Sequence, residues 1–170
     1  MHPWLAPHVP ALVVLHVLAS FGFVLLHAPS MTAMLVLRRE RRLERVQAML
    51  EMSGSASAYS WAGLTALGLT GLALAAAQHT WRAPWVWGSM LVLFLVTFTM
   101  SPMAARAFNE ARHAAGLPYF DGRGRTQAGA ADPEALERAL DVIRRRAPAV
   151  LAIGLLGLAL LVWLMVARPA

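Results

Sequence analysis

The sequence predicts an all-α fold: a polytopic membrane protein with four transmembrane helices in an antiparallel bundle and two amphipathic cytoplasmic helices. Its 170 residues are 58% hydrophobic and only 14% charged, which is too apolar for a soluble domain of this size. Four long apolar stretches divide the chain, and thirteen of its fifteen arginines fall between stretches one and two or between three and four. Since basic residues near span ends resist translocation, we expect a bacterial inner-membrane protein with both termini on the non-cytoplasmic side.

The first half of the chain provides two of the predicted spans. Span one covers about 9–37, more than the ~20 residues that cross a bilayer core, and Pro29 should kink it. The cytoplasmic segment 38–57 keeps a helical apolar period, and we expect residues 53–55, Ser-Gly-Ser, to end that helix. Span two follows at about 58–78. Its small residues Gly68, Gly71 and Ala75 share a face on which another helix can approach closely.

The second half provides spans three and four within the same single domain. A short outer turn predicts that span three, about 85–105, lies beside span two. The second cytoplasmic segment, 106–146, has a Gly-Arg-Gly-Arg centre at 122–125 that predicts a flexible loop. Asp132 followed by proline predicts a helix N-terminus, and span four follows at about 147–166.

The tryptophans support this topology independently, because indole rings concentrate at membrane surfaces. Five fall at predicted outer ends and one at an inner end. The outer ones are Trp4, Trp81, Trp85, Trp87 and Trp163, and the inner one is Trp61.

Composition excludes several classes of function. The chain has no cysteine, which excludes disulfides, thiolate metal sites and cysteine catalysis. The net charge of +6 does not indicate nucleic-acid binding, because all nine acidic residues share the two arginine-rich segments and the charge belongs to one membrane face. The sequence contains no GxSxG, HExxH or P-loop signature, so no catalytic residue is predicted.

Two histidines on span one are the candidate cofactor-binding residues, because ionisable groups inside spans are costly and often functional. His16 and His27 are eleven residues apart, which places them on one helical face. The functional interpretation is haem or metal ligation, and the alternative is a neutral histidine hydrogen-bonded across the bundle. Counted from the outer ends, Met100 on span three reaches nearly the depth of His27, so a His/Met haem ligand pair is feasible.

Copper is the second candidate cofactor. Methionine is a soft ligand suited to Cu(I), and four methionines lie in the inner third of spans one and three: Met31, Met34, Met100 and Met103. The alternative is that they are adaptable packing beside Pro29 and Pro102. A weaker outer site for copper or zinc would use His8, His16 and His79.

The run Leu15-His16-Val17-Leu18-Ala19, then His27 with small residues after it, then Arg38-Arg39-Glu40-Arg41, carries a resemblance to known proteins. It resembles a family of small bacterial inner-membrane proteins with four predicted helices and no assigned function. It is also distantly similar to the histidine-bearing first helix of copper-resistance D membrane domains. This resemblance, over about the first third of the chain, implies a four-helix bundle with haem or copper as expected cofactors.

Together these observations lead us to expect a non-catalytic accessory or structural subunit of a larger membrane complex, with other membrane subunits or a second copy as partners. Its patterned arginine-rich face would dock the partner. The alternative is a redox subunit that binds b-type haem or copper through His27, with His16 or Met100 assisting. A third class, small-molecule transport, would need a polar cavity among the spans.

Overall fold

The computed structural model describes residues 6–169, in which the regular secondary structure is helical; the connections between the helices contain turns and one isolated bridge, between Phe120 and Arg125. The helices are α1 (Val9–Leu37), α2 (Leu43–Gln78), α3 (Pro84–Ala114) and α4 (Pro133–Ala167), with short 3-10 helices at Ala6–His8 and Thr80–Arg82. All four long helices have the length and apolar composition to cross a membrane, so the chain is a multi-pass membrane protein. The predicted outer residue Trp4 lies outside the described residues.

Local sequence signals explain where the helices begin and end. Asp132 caps α4, as predicted, because its carboxylate accepts a hydrogen bond from Ala135 N at 3.0 Å. At the end of α3, Gly116 adopts a φ of 73°. Leu117 N then donates to Arg112 O and Gly116 N to His113 O, which completes a Schellman motif.

The helix break predicted at 53–55 is absent, because α2 runs unbroken through those residues. Ser53 Oγ donates to Ser30 Oγ on α1 at 3.2 Å, and Ser55 Oγ donates to Met52 O. Packing against α1 and hydroxyl bonds within the helix therefore override the weak local helix preference of this stretch. Pro29 also lies inside a continuous α1.

The two predicted cytoplasmic helices are likewise extensions of longer helices. The first is the opening third of α2, and the second, from Pro133, continues into span four without interruption at Pro148. Span three extends past its predicted end at 105 to Ala114. Three of the four helices are thus longer than the corresponding predicted spans.

The helices associate as two pairs. α1 packs mainly on α2 and α3 mainly on α4, and contacts between the pairs are few. In the first pair the helices approach closely at Gly63, where an added Cβ would lie 3.1 Å from Phe23 Cα. In the second pair they approach closely at Gly157, which packs directly against Val96 Cγ2. Of the small face predicted on α2, Gly71 contacts His16, but a Cβ on Gly68 would meet nothing within 4 Å.

The most buried core lies toward the end of the bundle that carries segments 38–53 and 106–146, which we call the arginine-rich end. Its members come from all four helices, and the largest fully buried ones are Met34, Leu37, Val46, Leu50, Leu140, Ile143 and Val150. Elsewhere many large apolar side chains are exposed, as expected for surfaces that face lipid. Hydrophobic burial therefore holds the arginine-rich end together, whereas small residues let the helices approach in the spans.

Trp81, Trp85 and Trp87 gather at the opposite end. The indole rings of Trp81 and Trp87 are 6.4 Å apart, and Trp87 Nε1 donates to Trp81 O at 2.7 Å. The Arg168 guanidinium lies 5.5 Å from the centre of the Trp85 ring, within cation-π range. This contact ties the last turn of α4 to the start of α3.

Candidate functional site: a cleft between the helix pairs

A cleft of about 770 Å³ lies between the α1–α2 pair and the α3–α4 pair, within the size range of small-molecule sites. Its deep part is mostly apolar and is lined by Phe23, His27, Met31, Leu64, Val96 and Met100. Its other part, which we call the mouth, is polar and is lined by Glu51, Asn109, Arg112, Tyr119, Phe120 and Arg125. The cleft therefore runs from an apolar interior to a charged opening at the arginine-rich end.

His27 lines the deep part of the cleft and stacks on Phe23, with ring centres 5.5 Å apart and an interplanar angle of 17°. Within residues 6–169 its imidazole forms no hydrogen bond. The cross-bundle hydrogen bond that would make His27 a purely structural residue is thus not formed with the described side chains.

Met100 lines the same cleft, opposite α1. A Cβ added at Gly154 would lie 3.0 Å from Met100 Cε and 3.7 Å from Met31 Cε, so both thioether side chains end over this glycine. Met34 also borders the cleft, and Met103 packs on the buried core. The structure thus brings His27, Met31 and Met100 to one cavity, although they come from two helix pairs.

His16 lies apart from this group, in the interface between α1 and α2. Its Nδ1 is 3.0 Å from Thr70 Oγ1, and its ring packs against Gly71. Ser20 Oγ, one turn away, donates to His16 O. The structure therefore gives His16 the cross-bundle hydrogen bond that His27 does not form.

The predicted outer histidine site has no support in the described residues. His8 precedes α1, and His79 ends α2 in the left-handed conformation with a φ of 55°. Within residues 6–169, no three side chains of His, Asp or Glu come close enough together to hold a metal ion.

Arg112 joins the two helix pairs at the mouth. Its Nη1 donates to Leu50 O on α2 at 2.8 Å, and its Nε donates to Pro118 O at 2.8 Å. Gly54 leaves room for the guanidinium, since a Cβ there would lie 2.7 Å from Arg112 Nη1. A parallel contact, from Gln47 Nε2 to Ala115 O at 2.8 Å, also connects α2 with the end of α3.

The connection between α3 and α4 folds over the mouth through specific hydrogen bonds. Asn109 holds Phe120 from both sides, because its Nδ2 donates to Phe120 O and its Oδ1 accepts from Phe120 N. The Asp121 carboxylate accepts from the backbone N–H groups of Arg123 and Gly124, which lowers the Asp121 pKa. These bonds define a turn at 122–125, where the sequence predicts a flexible loop, and Arg125 lines the mouth.

Sequence reasoning did not identify the residues that build the mouth. Arg112 and Leu50 are 62 positions apart, and Asn109 carries no motif. The one available signal was an arginine just beyond a span together with a glycine on a neighbouring helix, here Arg112 and Gly54. This combination is too common in membrane proteins to single out Arg112.

Among the described residues, the surface of the arginine-rich end carries five ion pairs, mostly between exposed or half-exposed groups. One of them, Arg41 to Glu137 at 3.6 Å, joins the α1–α2 connection to α4. The Glu40 carboxylate accepts from the backbone N–H groups of Arg42 and Arg41, which lowers the Glu40 pKa. Arg38 Nε and Arg144 Nη2 are buried without a hydrogen-bond acceptor in the described part of the chain.

A second depression, of about 230 Å³, lies on the same end between α3 and α4. Alanines form much of its lining, and the charged residues Glu110 and Arg138 border it. His113, which also borders it, packs against Tyr119 with ring centres 4.3 Å apart and the ring planes tilted by 37°.

Comparison with known proteins gives no relative for this chain: no protein-family model, curated protein sequence or solved structure matches it.

Proposed function

We propose that this chain is a non-catalytic accessory subunit of a larger membrane complex and docks its partner through the arginine-rich end. The observation that carries the proposal is the location of the most buried core at that end, where residues of all four helices pack together. A rigid, well-packed end of the bundle is suited to holding a second subunit in a defined orientation.

The proposed topology is an antiparallel bundle in a bacterial inner membrane, with the arginine-rich end in the cytoplasm and both termini on the other side. Two contacts between α1 and α2 support the antiparallel arrangement. His16 on α1 contacts Thr70 on α2, and Ser30, later on α1, contacts Ser53, earlier on α2. The concentration of arginine at one end and tryptophan at the other supports the orientation.

The chemistry of the docking surface indicates an acidic partner subunit. Arg39, Arg106 and Arg145 are exposed and form no ion pair with the described residues. The depression beside Glu110 and Arg138 offers a socket for one apolar side chain of that partner.

Affinity purification from the native membrane in mild detergent tests this proposal. We expect a second protein at fixed stoichiometry, and we expect the double charge reversal Glu110→Arg/Arg138→Glu to release it without lowering the thermal unfolding temperature. The matched control is Arg123→Glu, which reverses a charge outside the depression. Recovery of the chain alone, or as a homo-oligomer, would contradict an acidic hetero-partner.

A redox subunit is the second candidate, because His27 and Met100 line one cleft and His27 forms no hydrogen bond with the described residues. In this version His27 and Met100 would hold b-type haem, or His27 with Met31 and Met100 would hold copper. His16 would take no part, since Thr70 engages its Nδ1. A visible spectrum of the purified protein tests this candidate: a Soret band lost in His27→Ala supports it, and colourless, copper-free protein rejects it.

A further inference from the structure

We infer that the cleft is a binding site for one anionic phospholipid, with the phosphate at the mouth and the acyl chains in the deep part. This site is separate from the proposed docking surface and goes beyond the proposed function. The first argument is the polarity gradient. A phospholipid has a charged head joined to apolar tails, and the cleft has Arg112 and Arg125 at one end and Phe23, Val96 and Met100 at the other.

The length of the cleft also fits a lipid. Along α3 its lining extends from Val96 to Arg112, which is 16 residues, or about 24 Å at about 1.5 Å per residue. Half of a bilayer, with its headgroup layer, measures roughly 20–22 Å. The cleft is therefore about as long as one leaflet.

Charge at the mouth favours an anionic head. Two arginines face one carboxylate there, since Glu51 is the acidic residue that lines the cleft. Arg125 forms no side-chain hydrogen bond or ion pair with described residues, and the bonds of Asn109 and Asp121 define the backbone turn that carries it. Its guanidinium is therefore available to pair with a phosphate group.

The middle of the cleft offers unused donors at the level of the lipid ester groups. Ser57 and Ser101 line it, and neither hydroxyl forms a hydrogen bond with described residues. Helical serines such as Ser60 and Ser89, by contrast, donate to the carbonyl four residues earlier. Two free hydroxyls facing one cavity are suited to ester carbonyl oxygens, which only accept hydrogen bonds.

Access from the bilayer is available between α2 and α3. These helices share few contacts, and in the described residues only Gln47 and Arg112 form side-chain hydrogen bonds between them, both at the arginine-rich end. A lipid can therefore enter sideways from the membrane, whereas a water-soluble ligand would have to pass the mouth.

Native mass spectrometry tests the inference. The full-length protein, incubated in micelles with equal amounts of phosphatidylglycerol and phosphatidylcholine, should retain one phosphatidylglycerol per chain. Arg125→Gln should lower the preference for phosphatidylglycerol about fivefold, the effect of one arginine near an anionic head. The control Arg123→Gln removes the same charge from the same turn but outside the cleft, and should change nothing.

A second pair of variants tests the cavity rather than the charge. Ser101→Phe should block retention of the lipid, whereas Thr99→Phe, on the exposed side of the same helix, should not. Equal effects of Arg125→Gln and Arg123→Gln, or retention in Ser101→Phe, would overturn the inference. A retained mass with a Soret band would identify haem in the cleft instead and would also overturn it.

Discussion

Arg112 on α3 donates a hydrogen bond to the main-chain carbonyl of Leu50 on α2, and so links the two helix pairs. The same guanidinium donates to Pro118 O and so holds the connection that covers the mouth. Gln47 Nε2, which donates to Ala115 O, and Arg144 Nε, which donates to Arg38 O, are further hydrogen bonds between the pairs at this end.

Arg112→Gln should destabilise the protein by about 1–3 kcal/mol, because two carbonyl groups lose a charged donor. Arg112→Lys should recover at most half of that loss, since an ammonium does not reproduce the two-sided geometry of the guanidinium. Denaturant unfolding in micelles measures both. Arg106→Gln is the control, because the Arg106 side chain is exposed and forms no hydrogen bond or ion pair with described residues. Equal stabilities of Arg112→Gln and Arg106→Gln would reject the bridging role.

Gly63→Ala should destabilise the α1–α2 pair by about 1–3 kcal/mol, because the new methyl group would lie 3.1 Å from the Phe23 backbone, which cannot move alone. The matched control is Gly68→Ala on the same helix, where a Cβ meets nothing within 4 Å. That change should be neutral or stabilising by up to about 1 kcal/mol through helix propensity. Thermal unfolding followed by circular dichroism distinguishes them, and a Gly68→Ala loss as large as that of Gly63→Ala would refute the predicted close approach.

Gly157→Ala and Gly154→Ala, both on α4, should differ in how much they destabilise the protein, because the added methyl groups meet different neighbours. At Gly157 the added methyl meets the stiff, branched Val96, so we expect a loss of about 1–3 kcal/mol. At Gly154 it meets the flexible end of Met100, which can turn aside at a cost below about 1 kcal/mol. Parallel denaturation curves give the comparison, and the reverse order of stability would show that the α3–α4 contact is misassigned.

His16 and Thr70 should show energetic coupling in a double-mutant cycle of His16→Ala and Thr70→Val. Their atoms are 3.0 Å apart between two spans, and such bonds contribute about 0.6 kcal/mol on average. Unfolding free energies of the four proteins give the coupling. The control is a second cycle with His27→Ala and Thr70→Val, in which the two changes in unfolding free energy should be additive. Coupling in this control cycle alone would contradict the hydrogen bond between His16 and Thr70.

Glu40 should make the protein less stable in acid. Backbone N–H groups of Arg42 and Arg41 hold the Glu40 pKa below its ordinary value of 4.5. A carboxylate with a lowered folded pKa stabilises the protein above the unfolded pKa, and that contribution is lost as pH falls through the folded pKa. The difference in unfolding temperature between the wild type and Glu40→Gln should therefore be present at pH 7 and shrink below about pH 4.5. If this difference in unfolding temperature stayed constant with pH, the lowered Glu40 pKa would not be the cause of the acid sensitivity.

Hydropathy predicts the four helices that can cross a membrane, because it acts over whole segments, whereas the orientation drawn from the arginines stays a prediction. The N-cap at Asp132 was also predictable, since its hydrogen bond is local. The break expected at 53–55 was wrong because Ser30 and Arg112, distant in the chain, stabilise the helix there. The mouth could not be predicted for the same reason.

The candidate site was predictable in part. Depth counting put His27 and Met100 at one level, and both line the cleft. Placing His16 and His27 on one helical face did not distinguish them, because only the position of Thr70 on α2 shows that His16 lies in a helix interface. Whether these residues bind a cofactor stays a prediction.

The central claim, that the chain is an accessory subunit docked through its arginine-rich end, is tested most directly by native mass spectrometry of the complex released from its own membrane. The account predicts one additional protein subunit at fixed stoichiometry and no chromophore, with dissociation in Glu110→Arg/Arg138→Glu. A chain that is released alone and carries haem or copper lost in His27→Ala would contradict it.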